Sequence, residues 1–247
     1  MTEADSAGGH LARGGGEPVP RPGEPSRPPT MRPGAPAPPA GAAEVFGAGL
    51  EVATAYVAML ADTGISHGLL GPRELPRLWD RHVLNCAVVA ELVEPGARCA
   101  DIGSGAGLPG LALAIARPDL TMHLIEPLSR RARWLEQAVA TLGLGRVTVH
   151  CCRADALHGM LRVDVVTARA VAKLPVLAQW GSPLLAPGGR LLAIKGSTAQ
   201  VEVEQSWPAL QRVGVAQAVV KECGVGRVEP ATRVVAMTLN ADRTRPS

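Results

Sequence analysis

Aromatic residues are scarce in this chain of 247 residues, where phenylalanine, tyrosine and tryptophan together account for 2%. Hydrophobic residues still account for 47%, so the sequence can form a core, built mainly from alanine, valine, leucine and isoleucine. The length suits one ordinary domain, or one domain with an appendage. A pocket for a flat ring would have few aromatic side chains for stacking. Arginine planes or aliphatic walls would have to take their place.

Paired cysteines and long apolar runs are also missing. The five cysteines lack the spacing of a metal site or a redox motif: Cys86, Cys99, Cys151, Cys152 and Cys223. We therefore expect no bound metal, buried thiols and a reducing, cytoplasmic location. No stretch approaches the roughly 18 uninterrupted apolar residues of a membrane span, so we expect none. The net charge of +3 is too small to identify a nucleic-acid partner by itself.

Composition divides the chain into four parts. Residues 1–42 are rich in proline, glycine and alanine, which predicts a disordered extension. Its charges cancel, which argues against an arm that binds nucleic acid, and Met31 is an alternative start. Residues 43–95 form a helical segment, residues 96–240 a larger domain, and residues 241–247 a tail.

The helical segment contains two predicted helices. The first runs from Glu44 to Asp62, with apolar residues at helical spacing, and ends at Gly64. The second covers residues 73–93, and its first turn tolerates a proline. Arg77, Arg81 and Asn85 are spaced by four, so we expect them to share one face. That face is either a solvated surface or a binding surface.

Beyond residue 96, short apolar strands alternate with helices. We predict strands near 98–102, 121–126, 147–151, 163–168, 190–195, 215–221 and 233–239. We predict helices near 109–116, 129–142, 174–185 and 198–212. This alternation is typical of an α/β fold with a mostly parallel sheet and helices on both faces. The last two strands have no helix between them and should form an antiparallel pair at one edge.

A glycine-rich loop, residues 101–110, lies where the first strand turns into its helix. Ligands bind at this edge of an open α/β sheet, and glycine lets the backbone approach them closely. Gly105, Gly107 and Gly110 match the fingerprint of dinucleotide-binding proteins. Asp101 favours another ligand, because its carboxylate would repel a pyrophosphate but suits the cationic methionine part of S-adenosylmethionine. We therefore expect S-adenosylmethionine rather than NAD.

Acidic residues follow the next two strands. Glu126 can accept hydrogen bonds from both hydroxyls of a ribose, which serves either cofactor. Alternatively, it caps the following helix at the surface. In methyltransferases the turn that contains Ala154 and Asp155 passes the adenine, although Asp155 also suits a helix N-cap.

Two basic residues, Arg169 and Lys195, end the fourth and fifth strands. Both should face the crevice, although a solvated lysine is an equal alternative for Lys195. The fourth strand is not followed by an Asn/Asp-Pro-Pro-aromatic motif, which would grip an exocyclic amine. It also carries no cysteine at its end for a covalent attack on a pyrimidine.

Several segments together resemble the RsmG (GidB) family of ribosomal RNA guanine-N7 methyltransferases. The most specific is Leu78–Asn85, with its Leu-Trp-x-Arg-His-x-x-Asn pattern. The resemblance covers roughly residues 44–240 and also includes these segments: residues 71–74, the glycine loop with residues 111–120, Arg169-Ala170 and Lys195-Gly196. It implies a class I methyltransferase fold, with a seven-stranded sheet preceded by two helices.

The resemblance also implies site residues, which we combine with those from the motifs. The expected cofactor contacts are Asp101, Gly103, Ser104, Gly105, Gly107, Leu108, Glu126, Ala154, Asp155 and Arg169. The family often has Phe at the position of Leu108 and Glu-Glu at Asp155-Ala156, so the adenine contact would rely on backbone groups. Guanine N7 carries an in-plane lone pair and needs no general base, so catalysis requires orientation and exclusion of water. Arg169 and Lys195 would position guanine O6 or a phosphate.

The expected partner is 16S ribosomal RNA, in the small subunit or an assembly intermediate, bound by a monomer. The candidate RNA contacts form a basic rim: Arg73, Arg77, Arg81, His82, Arg130, Arg131, Arg133 and Lys195. His82 is equally suited to be a core histidine bonded to Asn85 or a backbone group. The alternatives are a methyltransferase for another substrate, a non-catalytic RNA-binding or assembly protein on this scaffold, and an NAD-dependent dehydrogenase.

Overall fold

Seven strands form one sheet in the computed structural model, which describes residues 34–240. The strands β1 to β7 are Arg98–Ile102, Thr121–Ile125, Val147–His150, Val163–Arg169, Leu185–Lys195, Val215–Cys223 and Thr232–Leu239. Their order in the sheet is β3-β2-β1-β4-β5-β7-β6. The first five strands are parallel, and β7 lies antiparallel between β5 and β6. This confirms the predicted sheet and its antiparallel edge pair.

The fifth strand begins earlier than predicted, at Leu185 rather than near residue 190. Pro187–Arg190 lies inside the strand, where the pairing with β4 shifts register between Val163 and Val165. Gly188 has a φ of 77°, and a Cβ on Gly189 would lie 2.9 Å from the carbonyl oxygen of Asp164. The two glycines therefore permit a β-bulge in the pairing of β5 with β4.

The helices after β1 match the sequence-based prediction closely. With the N-terminal α-helical pieces counted first, α1 to α7 are Ala42–Phe46, Leu50–Met59, Asn85–Ala87, Gly110–Ala116, Ser129–Thr141, Leu174–Gly181 and Ala199–Arg212. A 3₁₀ turn over Ser182–Leu184 completes the predicted helix 174–185.

The first predicted helix is also present, with changes of helix type along its length. A 3₁₀ turn over Gly47–Gly49 joins α1 to α2, and a π-helical turn over Leu60–Gly64 follows α2. By length and composition Ala42–Gly64 is long and apolar enough to cross a membrane. A helix packed into a protein core meets the same criterion, and Tyr56 and Leu60 are fully buried here.

The second predicted helix, 73–93, is wrong as one regular helix. It consists of a 3₁₀ segment Pro72–Arg77, a π-helical segment Leu78–Leu84, α3, and a 3₁₀ segment Val88–Leu92. Pro76 has no N–H to donate within a regular helix. The changed winding leaves Arg77 and Arg81 exposed but turns Asn85 inward, where its carbonyl oxygens accept from Thr232 at 3.0 Å.

The N-terminal helices share one buried core with a face of the sheet. Tyr56 and Val83 belong to the same hydrophobic cluster as Leu113 and Leu124 of the larger domain. The boundary placed near residue 95 thus separates segments that pack together. A second cluster on the other face includes Leu174 and Leu191.

The boundary placed at residue 42 needs correction. The carbonyl oxygen of Pro36 accepts a hydrogen bond from the indole of Trp79 at 2.9 Å, and Ala42 is fully buried. The proline-rich segment therefore contributes to the fold from at least residue 36. The expectations for residues 1–33, including Met31 as a start, and for the tail 241–247 lie outside the described residues.

Candidate active site

A pocket of about 640 Å³ opens at the carboxyl edge of the parallel strands. Its walls come from the ends of β1, β2 and β4, the turn after β3, and the helical segment 43–95, called the N-terminal segment below. The residues that line it are Leu69, Leu70, His82, residues 102–106, Leu108, residues 125–128, Arg131, residues 153–155, residues 169–171 and Trp180. Its position and size are typical of a site for a small-molecule cofactor.

The glycine loop supplies one wall through its backbone. Gly103 and Gly105 have φ values of 69° and 55°, a region that favours glycine, and both line the pocket. A Cβ on Gly103 would lie 2.8 Å from a methyl of Val171, on the loop after β4. Ser104 and Leu108 also line the pocket, as predicted. Gly107 does not, because it packs against the side chain of Leu111.

Asp101 is not a pocket residue, and its predicted contact with a cationic ligand is wrong. Its side chain is fully buried beneath the loop and does not line the pocket. It accepts hydrogen bonds from the backbone N–H of Gly110 at 3.1 Å and from the hydroxyl of Thr167 at 3.1 Å. Burial raises the pKa of Asp101 to about 7, against these hydrogen bonds, which lower it. Asp101 therefore fixes the loop from below.

Glu126 directly follows β2 and connects the glycine loop to the residue before α5. It is 3% exposed and accepts the N–H of Gly105 on one oxygen and that of Leu128 on the other, both at 3.0 Å. The bond to Leu128 lies just before α5, which has no side-chain cap, and the carboxylate is buried at the pocket rather than on the surface as the alternative interpretation expected. Each oxygen retains a lone pair that can accept from a ligand.

The turn after β3 brings Ala154 and Asp155 to the pocket, as predicted. Asp155 is no N-cap: it lies inside the 3₁₀ turn Ala154–Leu157 and pairs with Arg153 at 3.3 Å. Trp180 lies on the same side of the pocket. Its carbonyl oxygen is 3.1 Å from Nε2 of His158, just beyond that turn. Trp180 was not predicted as a site residue, because its place in an apolar helix indicates only a core position.

Arg169 also lines the pocket, held by the N-terminal segment. Its guanidinium lies 2.6 Å from Nδ1 of His82 and donates to Sγ of Cys86 at 3.1 Å. His82 is 6% exposed, and its other ring nitrogen lies 2.7 Å from Glu74. Its predicted RNA contact is therefore wrong, and so is Asn85 as its partner. The interpretation as a buried, hydrogen-bonded histidine is confirmed.

A second residue of the N-terminal segment supports the glycine loop. Tyr56, fully buried in α2, donates from its hydroxyl to the carbonyl oxygen of Ala106 at 2.7 Å. Burial raises the pKa of Tyr56 well above its ordinary value, so the hydroxyl remains a donor. A lone tyrosine in an apolar helix carries no sequence signal for this role.

Lys195 does not face the pocket, contrary to the prediction. Its Nζ donates to Glu202 of α7 at 2.8 Å and to the carbonyl oxygen of Ala172 at 3.0 Å. The same oxygen of Glu202 also accepts the N–H of Leu174. Lys195 thus stabilises the loop that follows Arg169. This geometry does not support its predicted contact with guanine or RNA.

The remaining candidate arginines divide between pocket and surface. Arg131 lines the pocket, and its Nε is buried without a hydrogen-bond partner among residues 34–240. The exposed arginines are Arg73, Arg77, Arg81, Arg130 and Arg133. They lie on the N-terminal segment and on α5, the two elements that flank the pocket at Leu69, Leu70 and Leu128. This placement agrees with a basic rim.

Metal-ligating side chains do not cluster in the part of the chain that the structure describes. Within residues 34–240, no group of three or more His, Cys, Asp or Glu side chains could hold an ion. The five cysteines are free thiols; Cys86, Cys99 and Cys223 are buried, whereas Cys151 is exposed.

Two solved structures with a similar fold are methyltransferases. Mitomycin 7-O-methyltransferase MmcR aligns with a TM-score of 0.52 at 18% identity, over 81% of this chain and 67% of that one. The ribosomal protein L11 methylase of Lactobacillus delbrueckii subsp. bulgaricus aligns with a TM-score of 0.50 at 14% identity, over 65% and 79% of the two chains. These likenesses show the class I methyltransferase fold.

Sequence relatives are much closer. The ribosomal RNA small subunit methyltransferase G of Thermobifida fusca is 52% identical over 198 residues, which is 80% of this chain and 84% of the relative. That of Mycolicibacterium gilvum is 50% identical over 218 residues, 85% and 94% of the two chains. The family model described as "GidB: rRNA small subunit methyltransferase G" matches residues 50–229. The chain therefore belongs to the GidB family.

Proposed function

We propose that this protein transfers a methyl group from S-adenosylmethionine to N7 of a guanine in 16S ribosomal RNA. The observation that carries the proposal is one pocket in which the glycine loop and Glu126 meet Arg169, flanked by exposed arginines, in a chain of the GidB family. The names of the relatives support the small-subunit RNA as substrate. N7 is the atom that the family resemblance implies.

The pocket fits the cofactor on its own chemistry. Glu126 offers free lone pairs to a ribose at the floor, and the backbone of Gly103 and Gly105 leaves room for close approach. The charge of Asp101 no longer argues against NAD, because that residue is buried. The topology of the sheet argues against NAD, because β7 is antiparallel, whereas the dinucleotide-binding fold is mostly parallel in the order 3-2-1-4-5-6. When bound, S-adenosylmethionine supplies an electrophilic methyl group on a sulfonium.

The chain's part in the reaction is to orient and to exclude water. Guanine N7 is already a nucleophile, so the described pocket needs no general base. Arg169 has committed its terminal N–H groups to the N-terminal segment, which leaves Nε–H as a donor. Arginine pairs naturally with the O6 and N7 edge of guanine, and a bond to O6 would leave N7 free to react.

The substrate's phosphates are expected to meet the exposed arginines around the pocket. Exposed cations that flank a site bind phosphates and release counterions. The target base has to leave its stack to enter the pocket, which favours a loop or an open hairpin. We propose that a monomer acts in the cytoplasm on the small subunit or on an assembly intermediate.

Two measurements test this proposal together. Calorimetric titration with S-adenosylmethionine and with NAD separates a methyltransferase from a dehydrogenase, and we expect binding of the first alone. Transfer of a labelled methyl group is then measured with small subunits and with naked 16S RNA that lack the modification. Cofactor binding without transfer to either substrate would leave the fold correct and the substrate wrong.

A further inference from the structure

A chain of hydrogen bonds joins the N-terminal segment to the pocket. Arg169 of β4 lies with Nη2 2.6 Å from Nδ1 of His82, and Nε2 of His82 lies 2.7 Å from Oε2 of Glu74. The side chain of His82 is 7% exposed, whereas that of Glu74 is 26% exposed. The buried histidine therefore stands between a surface carboxylate and the arginine of the pocket.

The protonation state of His82 follows from its two partners. A guanidinium can only donate hydrogen bonds, so Nδ1 of His82 must accept one and carries no proton. The ring proton then lies on Nε2, which donates to Glu74. Burial and the charge of Arg169 lower the pKa of His82, so the neutral ring is favoured. The hydrogen bond from His82 also lowers the pKa of Glu74, which keeps the acceptor ionised.

The remaining terminal N–H groups of Arg169 are held by the same segment. Nη1 donates to Sγ of Cys86 at 3.1 Å and to the carbonyl oxygen of His82 at 3.4 Å, and Nη2 donates to the carbonyl oxygen of Arg81 at 3.3 Å. Of these acceptors, Nδ1 of His82 is the closest. It depends on one tautomer of one side chain, whereas the carbonyl oxygens accept in every state.

We propose that His82 is a positioning residue for methyl transfer, whose neutral Nδ1 holds Arg169 in the pocket while Glu74 fixes the tautomer. The inference deepens the function proposed above and rests on it. It assigns to the histidine of the Leu-Trp-x-Arg-His-x-x-Asn segment a task inside the active site rather than contact with RNA.

A pH dependence follows from this arrangement. A proton on Nδ1 would point an N–H group and a positive charge at Arg169, and the contact would be lost. The charged and titratable groups that face this cluster are Glu74, Arg77, Arg81, Cys86 and Arg169. Among these groups Glu74 favours the protonated ring, whereas Arg169 and Arg81 oppose it. Turnover should therefore fall on the acid side, as pH drops through the lowered pKa of His82.

Two substitutions separate the two ring nitrogens. The amide oxygen of His82→Asn lies one bond beyond Cγ, as Nδ1 does, and preserves an acceptor for Arg169. The amide nitrogen of His82→Gln reaches toward the place of Nε2 and preserves the donor for Glu74, but not the acceptor. We expect kcat to fall about tenfold or more further in His82→Gln than in His82→Asn, since a charge-assisted hydrogen bond is lost. The acid limb should disappear in both.

Controls keep this test independent of folding and of the reaction itself. Thermal melting reports whether both variants fold, and His123→Gln, at the His123–His150 contact outside the pocket, should leave kcat and its pH profile unchanged. Nitrogen-15 NMR of the wild-type histidines should show the Nε2–H tautomer for His82. Equal losses in folded Asn and Gln variants, or an Nδ1–H tautomer, would overturn the inference. Absence of methyl transfer by the wild type would instead overturn the proposed function, and with it this role.

Discussion

The carboxylate of Glu126 accepts the backbone N–H of Gly105 at 3.0 Å, which joins the end of β2 to the glycine loop after β1. The same side chain accepts the N–H of Leu128 at the start of the following helix. One buried acid thus shapes the pocket floor and remains able to accept from a ligand. Its two tasks can be separated by substitution.

Replacement of Glu126 should weaken cofactor binding. In Glu126→Ala the ribose loses its acceptors and the N–H of Gly105 loses its partner, so we expect the Kd for S-adenosylhomocysteine to rise about 10-fold to 100-fold. Glu126→Gln retains one carbonyl oxygen, so its Kd should lie between those of the wild type and Glu126→Ala. Calorimetry measures all three Kd values. An unchanged Kd in a folded Glu126→Ala protein would exclude Glu126 from the cofactor site.

Substitution of Asp101 should affect stability and its pH dependence. Its folded pKa of about 7 lies above the ordinary 3.8, so the folded state holds the proton more tightly than the unfolded chain. The stability that Asp101 contributes is therefore fully present below pH 3.8 and is lost as the pH rises to about 7. Asp101→Asn can accept from Gly110 and donate to Thr167, whose hydroxyl can turn to the carbonyl oxygen of Ala100.

Denaturant titration between pH 4 and pH 7 checks this expectation. The stability of Asp101→Asn should vary less with pH than that of the wild type. Asp101→Ala leaves the buried N–H of Gly110 unpaired and should cost about 1–3 kcal/mol, with a further cost for the cavity. Parallel pH profiles of wild type and Asp101→Asn would show that Asp101 does not titrate in this window.

Trp180 should contribute to binding of the adenosine part of the cofactor. Trp180 lines the pocket on the side of Ala154 and Asp155, where the adenine is expected. We expect the Kd for 5′-methylthioadenosine, which lacks the amino acid, to rise about 5-fold to 100-fold in Trp180→Ala, the range for a lost stacking contact. Trp180→Phe should retain most of the affinity. Equal Kd values in all three proteins would place the adenine elsewhere.

The exposed arginines of the N-terminal segment should contribute phosphate contacts. Arg77→Ala combined with Arg81→Ala should weaken RNA binding and reduce the slope of log K against log salt by about 1 to 2. Arg146→Ala with Arg212→Ala removes the same charge at exposed positions near the opposite edge of the sheet, before β3 and at the end of α7. This control pair should leave the slope unchanged. A similar slope in both double variants would contradict a local RNA surface.

Local patterns sufficed for the fold and for the backbone of the site. Apolar periodicity located all seven strands, and the glycine spacing located the loop that lines the pocket. The errors concern side-chain partners that depend on tertiary packing. Asp101 and Lys195 both stand at strand ends, where a ligand is expected, but one is covered by the loop and the other meets Glu202.

Tertiary packing also explains why some site residues were not predicted from the sequence. Tyr56 and Trp180 stand in apolar helices whose pattern indicates only a core, yet one holds the glycine loop and the other opens to the pocket. Leu78–Leu84 is π-helical, and His82 points inward to Arg169. The spacing of a regular α-helix did not predict this contact. Proline at position 76 was a visible sign of irregular winding.

The identity of the methylated atom is the most direct test of the proposed methyl transfer to guanine N7. Small subunits that lack the modification are incubated with the protein and with S-adenosylmethionine carrying a deuterated methyl group. The 16S RNA is then digested, and its nucleosides are analysed by mass spectrometry. We expect label in 7-methylguanosine, at one position, with much less in Glu126→Ala at the same cofactor concentration. Label on another atom or nucleoside, or no label although the cofactor binds, would contradict it.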